Sequence, residues 1–549
     1  MPASSPGSRT SIAPQRRIDV WFVVGLSAIV LLAAGLRAPH LAGHLPALIH
    51  PDEPTVVERG LAALDGRLAP PQFDWPPASA YVYAAAAAVA RLAIPDVTAD
   101  AGTRYLLGRI VFLFVALVAV ALTGVLGARL ADKPEQRTVT GLGAAGILAV
   151  SFTSVRLSRI AHPEHLQIVF MLSSALCALA FDRSRRLGPL AAAGALAGLA
   201  GATKYLGVMV GLISILSVMI WPQPVGGDSC CGFGGKGRRN RASRFALRTP
   251  GRRGSFRVVQ VAVLAGTVVA GFLGGTLGTV VSGGRFLRGL AWQVGHQAGG
   301  HLGYEAAEPG WLFHIGTSMP GNWGWPVTVL AVAGTCAVLV RGSRAQRLVA
   351  VLMLTLFALI GSSQIRFPHY VLIIYPGLAA LACVAVGRIR PRVARAMACA
   401  LVAASLCMVA LDDVRLTRAE GAPSTQLAAD AAVAGITGPV WSESYSLTSP
   451  RERQVNAFGT APETLGCRCV AVVSSYQEER YRRRPDRYGP QIAVYDALRA
   501  RGRVLAEIRP SPPLSYRWGI LPQWGVARLP LSGPVGPIGP TITLLDLRG

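Results

Sequence analysis

Charged residues are scarce in this chain. They make up 15% of its 549 residues, whereas a soluble globular domain carries about 25%. Apolar residues make up 52%. Uncharged runs such as 258–284 and 348–363 approach or exceed the roughly 17–25 residues that a helix needs to cross a bilayer. The composition therefore excludes an ordinary soluble enzyme and predicts an integral membrane protein.

Acidic residues are the rarer charged type, with 28 Asp and Glu against 54 Lys and Arg, so the net charge is +26. The basic residues gather between the apolar runs, where the positive-inside rule places them. Aromatic residues do not alternate with them, as they would on a nucleic-acid-binding surface. We therefore expect no nucleic-acid partner.

Cysteine motifs for a metal or a disulfide framework are also absent. Cys230 and Cys231 have no His partners nearby, and Cys467 and Cys469 are spaced too closely for a structural zinc pair. A local disulfide between Cys467 and Cys469 stays open. No metal site is predicted, and no cofactor is certain, although a divalent ion remains compatible with the acidic residues described below.

The apolar runs predict a mainly α fold, a polytopic bundle of about eleven membrane-spanning helices. The predicted spans are 19–37, 110–129, 138–154, 165–181, 187–202, 205–221, 258–281, 326–340, 348–363, 370–386 and 396–411. Together they form a membrane module over residues 19–411. The alternation of helical and strand-like segments in residues 412–549 predicts a small α/β domain.

Orientation follows from the basic loops. With the tail 1–18 in the cytoplasm, every basic cluster falls inside, including the Gly- and Arg-rich loop 222–257. Loops 38–108 and 282–325, and the C-terminal domain, then lie outside. The Ala-rich segment 78–94 is predicted as a juxtamembrane helix on the outer face, because counting it as a span would move the later basic loops outside.

The first outer loop carries an acidic pair, Asp52 and Glu53, with Pro51 and Pro54 on either side. A carboxylate held in a stiff loop can serve as a general base. The alternative is structural: Asp52 caps the helix that starts near Pro54, and Glu53 is its first-turn acid. The spacing does not decide between the two.

The next outer turn holds a third acid, Glu164, close to Arg159 and His162. Glu164 begins a span, so capping is again the alternative. Cations also collect at the outer ends of spans. They are Arg109, Lys204, Arg366 and His369. Such cations can bind a lipid phosphate. Alternatively, their aliphatic chains pack along the apolar surface while the charged groups reach the membrane–water interface.

These motifs occur in a fixed order over roughly residues 15–390. They are His50-Pro51-Asp52-Glu53, Phe73-Asp74-Trp75-Pro76-Pro77, Arg109, the segment from Ser158 to Glu164, the segment from Gly198 to Tyr205, and Arg366-Phe367-Pro368-His369-Tyr370. The ordered set resembles the membrane-embedded GT-C glycosyltransferases, especially the dolichyl-phosphate-mannose–protein mannosyltransferase-like family (glycosyltransferase family 39). One departure is Glu164, where the family usually carries Asp.

The resemblance implies transfer of a hexosyl or pentosyl group from a polyprenyl-phosphate donor, with inversion, on the outer face of the plasma membrane. The acceptor would be a protein, lipid or polysaccharide, and membrane lipids would surround the enzyme. Asp52 would act as base, with Glu53 and Glu164 in support. Arg109, Lys204, Arg366 and Arg159 would bind the donor phosphate. His50, Asp74, Trp75, His162 and His369 would contact substrate.

Two other functions are compatible with a polytopic chain. A transporter or flippase of a lipid-linked glycan should place its acids and broken helices near the middle of the membrane, whereas these acids lie in outer loops. A non-catalytic scaffold would not need the acidic pair together with several matching cations. We therefore expect a glycosyltransferase.

Overall fold

The computed structural model describes residues 19–46, 50, 52–219, 251–301, 303, 305, 308–449, 451–511, 529–533 and 535–549, with side chains from residue 257 in the segment that begins at 251. The predicted tail 1–18 and most of the predicted basic loop 222–257 lie outside these residues. Helices dominate the chain up to residue 434, and a small sheet follows. This confirms the predicted fold class, a helical bundle with a C-terminal α/β domain.

Seventeen helices precede the C-terminal domain in the described ranges. They are α1 Val20–Arg37, α2 Glu53–Leu64, α3 Ala78–Ala93, α4 Ala101–Leu130, α5 Arg137–Ala149, α6 Phe152–Leu157, α7 Glu164–Ser184, α8 Leu187–Thr203, α9 Leu212–Met219, α10 Gly251–Gly275, α11 Leu277–Val281, α12 Gly283–Gly299, α13 Gly310–Phe313, α14 Met319–Arg341, α15 Arg344–Ser362, α16 Tyr375–Arg388 and α17 Arg392–Glu420. Short 3₁₀ segments, Tyr205–Gly211 and Pro368–Ile374, lead into α9 and α16.

Eight helical segments in the described part of the chain are long and apolar enough to cross a membrane. The remaining predicted spans coincide with the shorter α5, α8 and α9. The Ala-rich segment forms α3, a 16-residue helix. Four boundaries differ most from prediction: α4 begins at Ala101 within the predicted loop 38–108, α10 begins within the predicted basic loop, α14 begins before residue 326, and α17 continues to Glu420.

Small residues bring α8 and α10 into close contact. A side chain at Gly198 would place its Cβ 2.2 Å from the Val268 carbonyl oxygen, and one at Gly271 would lie 2.1 Å from that of Ala195. Without a hydrophobic drive between helices in lipid, such close backbone packing is a main source of association. The pair therefore fixes the C-terminal end of α8, where Lys204 follows.

The predicted span 138–154 is broken between α5 and α6. Asn322 of α14 occupies the break: its Oδ1 accepts hydrogen bonds from the Ser151 hydroxyl at 2.8 Å and from the Thr153 amide at 2.9 Å. These bonds satisfy polar groups that the broken helix would otherwise leave unpaired in the bundle. The chain then turns through α6 into the segment that carries His162 and Glu164.

The C-terminal domain contains a five-stranded mixed sheet in the order β2-β1-β3-β5-β4. Its elements are α18 Thr425–Ala434, β1 Val440–Glu443, β2 Arg453–Val455, β3 Val470–Ser474, α19 Ser475–Arg482, α20 Pro485–Arg501, β4 Arg503–Ile508 and β5 Ile542–Asp546. Strands β1, β2 and β3 are parallel, and β5 runs antiparallel to β3 and β4. Apolar side chains cover both faces of the sheet, and Cys467 forms a disulfide with Cys469.

Candidate active site

Asp52 lies at the first residue before α2, but its side chain makes no capping hydrogen bond with that helix. Its Oδ2 instead lies 3.1 Å from Nε2 of His162. The Asp52 side chain therefore does not cap α2, in contrast to the structural alternative considered from the sequence. The Asp52 side chain is 30% exposed, so part of its surface is available to a substrate.

His162 connects Asp52 to Glu164. Its Nδ1 forms an ion pair with Glu164 Oε2, on the ring edge opposite the Asp52 contact. His162 and Glu164 are both buried. A histidine with a carboxylate at each nitrogen is a donor at both, so the imidazolium form suits this position. The three side chains form an Asp–His–Glu relay.

Lys204 and His369 complete the cluster from other parts of the chain. Lys204 Nζ pairs with Glu164 Oε1, and His369 Nε2 lies 4.0 Å from the same oxygen. The segments before α7, after α8 and before α16 thus converge on one carboxylate. The five predicted residues Asp52, His162, Glu164, Lys204 and His369 come together in space.

The charges in this cluster determine one another's protonation. Burial acts to raise the pKa of Asp52, but the hydrogen bond from His162 and the charges of His50 and Lys204 outweigh it, so the net pKa is lowered. For His162, burial acts against the charged ring, yet Glu164 and Asp52 raise its pKa above the ordinary value. Asp52 is therefore ionised and His162 favours the imidazolium near neutral pH.

Aromatic rings line the open side of the cluster. The Trp75 ring lies edge-on to His162 at 5.6 Å, and Lys204 Nζ lies 4.7 Å from the Trp75 ring centroid. His50 lies 5.5 Å from His162, also edge-on. Asp74 points elsewhere: its carboxylate forms an ion pair with Arg59 at 2.8 Å. The structure thus brings Trp75 and His50 to the site, but not Asp74.

Glu53 and Arg109 are occupied by each other. The Arg109 Nε and Nη2 atoms donate to the two Glu53 oxygens at 2.8 Å each, and Nη1 donates to the carbonyls of Leu41 and Gly43. Glu53 also accepts from the Ala161 amide at 3.2 Å. The pair is buried. It ties the first outer loop to α4 and to the segment before His162, which positions Asp52 rather than presenting charge to a phosphate.

Arg159 also binds protein groups outside the Asp52–His162–Glu164 cluster. Its guanidinium pairs with Glu420 at the end of α17 and donates to the carbonyl oxygens of Arg37 and Pro39 at 3.1 and 2.5 Å. It therefore joins α1, the turn before α7 and α17. This geometry differs from the predicted phosphate contact, because its donors already have protein partners.

Arg366 has a different environment. Its side chain is buried, and its Nη2 donates to the Glu308 carbonyl at 3.3 Å. The buried Nε and Nη1 atoms have no hydrogen-bond partner among the described residues. Burial lowers its pKa, against the opposing charge of Glu308. A buried guanidinium with open donors is suited to an oxyanion, as the sequence predicts for this residue.

One residue near Arg366 escaped the predicted set. His314 is buried and interacts with the Arg366 charge, its Nδ1 lies 2.9 Å from the Ser318 hydroxyl, and its Nε2 has no partner within the part of the chain that the structure covers. A histidine in a predicted outer segment is a weak signal for a site residue. Its proximity to Arg366 could not be predicted, because the two residues are far apart in the sequence.

A group that could hold a metal ion lies within the cluster. His50, Asp52 and His162 each offer one ligand atom, and these atoms lie within 4.8 Å of one another. Two imidazoles and a carboxylate are a suitable donor set for a divalent ion such as zinc, which would supply positive charge there. Because such an ion needs a neutral imidazole, it would compete with the proton that His162 shares with Asp52.

Residues 74–229 match the family model described as dolichyl-phosphate-mannose-protein mannosyltransferase. The fold is similar to the crystal structure of ArnT from Cupriavidus metallidurans bound to undecaprenyl phosphate, with a TM-score of 0.53, 13% identity and coverage of 96% of this chain and 97% of that chain. A crystal structure of an oligosaccharyltransferase from Archaeoglobus fulgidus with zinc and sulfate is 12% identical, with a TM-score of 0.49 and coverage of 87% and 71%. No curated protein matches.

The chain thus has an ArnT-like fold, and residues 74–229 resemble the mannosyltransferase family model. The predicted resemblance is thereby confirmed, and so is the predicted multi-pass membrane location in its coarser form. The matched residues begin at Asp74 and include His162, Glu164 and Lys204. The match thus covers much of the cluster, while Asp52 and His369 lie outside it.

Replacement of His162 by Gln should destabilise the protein most at mildly acidic pH. The folded pKa of His162 is raised, so its stabilising contribution is complete below the unfolded value of about 6.5 and is lost as pH rises through the folded pKa. We expect the loss in free energy of unfolding to be about 1.5–3 kcal/mol larger at pH 6 than at pH 9. Thermal unfolding in detergent measures this.

The control is His296→Gln in α12, because burial lowers the pKa of that histidine and the same pH trend should not occur. Equal destabilisation by His162→Gln at both pH values would contradict the imidazolium assignment.

Proposed function

We propose that the enzyme transfers a sugar from a polyprenyl-phosphate donor to a hydroxyl of its acceptor, with inversion, at the extracytoplasmic membrane surface. The observation that carries this proposal is the Asp52–His162–Glu164 relay, in which one face of the Asp52 carboxylate stays open. The family match and the ArnT-like fold support it. ArnT itself has been crystallised with undecaprenyl phosphate.

In this mechanism the acceptor hydroxyl binds to Asp52. The acceptor oxygen attacks the anomeric carbon as the bond from that carbon to the phosphate oxygen breaks, and the electron pair of that bond leaves with the polyprenyl phosphate. The proton of the hydroxyl passes to Asp52. A carboxylate of low pKa suffices, because the acceptor oxygen becomes strongly acidic as its new bond forms.

His162 holds Asp52 in place during this step. Its imidazolium donates to Asp52 Oδ2 and is itself neutralised by Glu164. This arrangement fixes the carboxylate that must receive the proton, and geometry of this kind is a large part of enzymatic rate acceleration. Glu164 thus acts on Asp52 through His162, and the longer Glu side chain reaches both His162 and Lys204.

The leaving phosphate is bound by the cations at the rim. Arg366 offers buried N–H groups without described protein partners, and Lys204 lies between Glu164 and Trp75. Preorganised positive charge in a site of low dielectric stabilises the charge that develops on the leaving group. The lipid tail would lie along the bundle, so its binding energy helps to position the sugar.

Replacement of Arg366 by Gln should weaken the binding of undecaprenyl phosphate. Hydrogen bonds to charged groups contribute about 1.5–3 kcal/mol, so we expect a roughly 10- to 100-fold rise in the dissociation constant. Binding of the labelled lipid to purified enzyme in nanodiscs measures it. Arg390→Gln, at an exposed position, is the control. Unchanged binding in Arg366→Gln would remove Arg366 from the donor site.

Orientation forms part of the proposal. The positive-inside pattern places the N-terminus in the cytoplasm and both the relay and the C-terminal domain outside. Reporters of topology inserted at residues 90 and 480 should both report an extracytoplasmic position. A cytoplasmic signal at either position would overturn this orientation.

The test of the function separates transfer from transport. Purified enzyme in vesicles receives radiolabelled undecaprenyl-phosphate hexoses and pentoses together with a detergent extract of the host cell envelope. We expect label to pass from at least one lipid donor to the extract, with release of undecaprenyl phosphate. Movement of an intact lipid-linked sugar across the bilayer, with no chemical change, would instead support a flippase.

A further inference from the structure

Tyr445 follows β1 of the C-terminal domain and has a left-handed backbone with a φ of 67°. A bulky residue rarely adopts this conformation, and such strain persists only where surrounding structure holds it. Here the amide and hydroxyl of Ser446 both donate to the Glu443 carbonyl, at 3.2 and 2.7 Å. Gln426 Nε2 donates to the Tyr445 carbonyl at 3.3 Å. The turn is therefore fixed.

The turn directs the Tyr445 side chain into an aromatic group. Its ring lies edge-on to Tyr476 at 4.8 Å, and the Arg480 guanidinium lies 5.2 Å from the Tyr476 ring centroid. Tyr445 is half-buried, and its hydroxyl forms no hydrogen bond to any residue within the described ranges. The ring is thus held by its neighbours, and the hydroxyl is available to a ligand as far as the described residues show.

The negative charge of Asp52 reaches this hydroxyl. Burial, Tyr476 and Asp52, in that order, raise the pKa of Tyr445 above its ordinary value, against the charge of Arg480. The phenol is therefore neutral at physiological pH and available as a hydrogen-bond donor. The influence of Asp52 on Tyr445 links the C-terminal domain electrostatically to the proposed base.

Contacts through the outer loop keep the C-terminal domain over the relay. Gly303 has a φ of 88°, and a Cβ there would lie 1.9 Å from the Arg480 carbonyl oxygen, so only glycine fits. Glu305 accepts hydrogen bonds from the Tyr488 hydroxyl at 3.0 Å and the Gly303 amide at 2.9 Å. The outer loop is thereby attached to α19 and α20.

The same loop contacts the relay on its other side. The His301 ring lies 5.9 Å from Phe367, which stacks on His369 at 5.3 Å. His369 in turn lies 5.9 Å from His162, edge-on. A series of neighbouring rings therefore runs from His301, two residues before the Gly303 contact with α19, to the histidine that holds Asp52.

We propose that Tyr445 is an acceptor-binding residue, whose phenol donates a hydrogen bond to an uncharged oxygen of the acceptor beside the hydroxyl bound to Asp52. This inference rests on the proposed function and adds the C-terminal domain to the acceptor site. A neutral donor suits a polyhydroxyl or peptide-like acceptor. The donor phosphate, in contrast, is bound by the cations Lys204 and Arg366.

Two variants of Tyr445 test this assignment. Tyr445→Phe keeps the ring and removes the hydroxyl, while Tyr445→Gly removes the side chain and tolerates the left-handed backbone. The matched control is Tyr481→Phe, because the buried Tyr481 hydroxyl has no partner in the structure as described. The probe is the labelled transfer assay above, with the envelope extract and the lipid donor each varied in turn.

Tyr445→Phe should raise the apparent acceptor KM by roughly three- to tenfold, as the loss of one hydrogen bond predicts, and Tyr445→Gly by at least as much. The donor KM should stay within about twofold in both variants, and Tyr481→Phe should match the wild type. An unchanged acceptor KM in both variants, or a rise in donor KM alone, would overturn the proposal. A wild-type enzyme that transfers no sugar would refute the proposed function itself.

Discussion

Asp52→Asn should lower the rate of sugar transfer by about 10²- to 10⁴-fold, the range typical for loss of a general base. Asparagine has nearly the same shape and can still accept a hydrogen bond from His162. It cannot take a proton from the acceptor hydroxyl. Because Asp52 is partly exposed and makes no capping bond to α2, the variant should fold and insert like the wild type. Single-turnover transfer from a labelled lipid donor measures the effect.

The control for this variant is Asp65→Asn. Asp65 lies in the same outer segment, is exposed, and pairs only with Arg67, at 3.1 Å, among the ion pairs of the described chain. Its replacement should leave the transfer rate unchanged within about twofold, since exposed ion pairs contribute little. Full activity of Asp52→Asn would show that another group receives the proton.

Glu53→Leu should cost about 3–5 kcal/mol of folding free energy, because it leaves the buried Arg109 without its charge partner. Glu53 is fully buried and binds Arg109 through both oxygens. A decrease of several degrees in the midpoint of thermal unfolding, with loss of membrane-inserted protein, is the expected result. This outcome would assign Glu53 a structural role that places Asp52.

A double variant sharpens this test. Glu53→Leu combined with Arg109→Leu removes both charges, and such replacement of a buried pair is often close to neutral. The double variant should therefore be more stable than the sum of the single variants predicts. If Glu53→Leu were as stable as the wild type but inactive, Glu53 would belong to the chemistry instead.

The outer cluster could be predicted from the sequence to a considerable extent. The sequence predicts Asp52 in the outer loop 38–108, and Glu164 and Lys204 at the ends of spans that face the same side. Residues on one side of a membrane share one surface, so this pattern predicts that the three are neighbours. Their roles in catalysis stay predictions.

The partners of the arginines could not be predicted. Arg109, Arg159 and Arg366 all occupy similar positions near predicted span ends. Arg109 nevertheless binds Glu53, Arg159 binds Glu420, and two nitrogens of Arg366 have no hydrogen-bond partner among the described residues. These differences depend on long-range packing, for example of α17 against the turn before α7. Neither hydrophobic periodicity nor a local motif predicts which carboxylate lies near which guanidinium.

The C-terminal domain illustrates the same limit. Its alternation of helices and strands predicts an α/β domain, which the structure confirms. Tyr445, however, occurs in a short segment without any motif, and its importance depends on a left-handed backbone and on contacts with the outer loop. Such a residue is recognised as a candidate only from the three-dimensional contacts of the C-terminal domain.

The anomeric configuration of the product tests the central claim most directly. A donor of defined configuration is converted by the wild-type enzyme, and the new linkage is assigned by NMR of the isolated product. Direct attack by an acceptor hydroxyl bound to Asp52 predicts complete inversion at the anomeric carbon. Retention of configuration would require a covalent sugar intermediate and would contradict the role of Asp52 as the base in a single displacement.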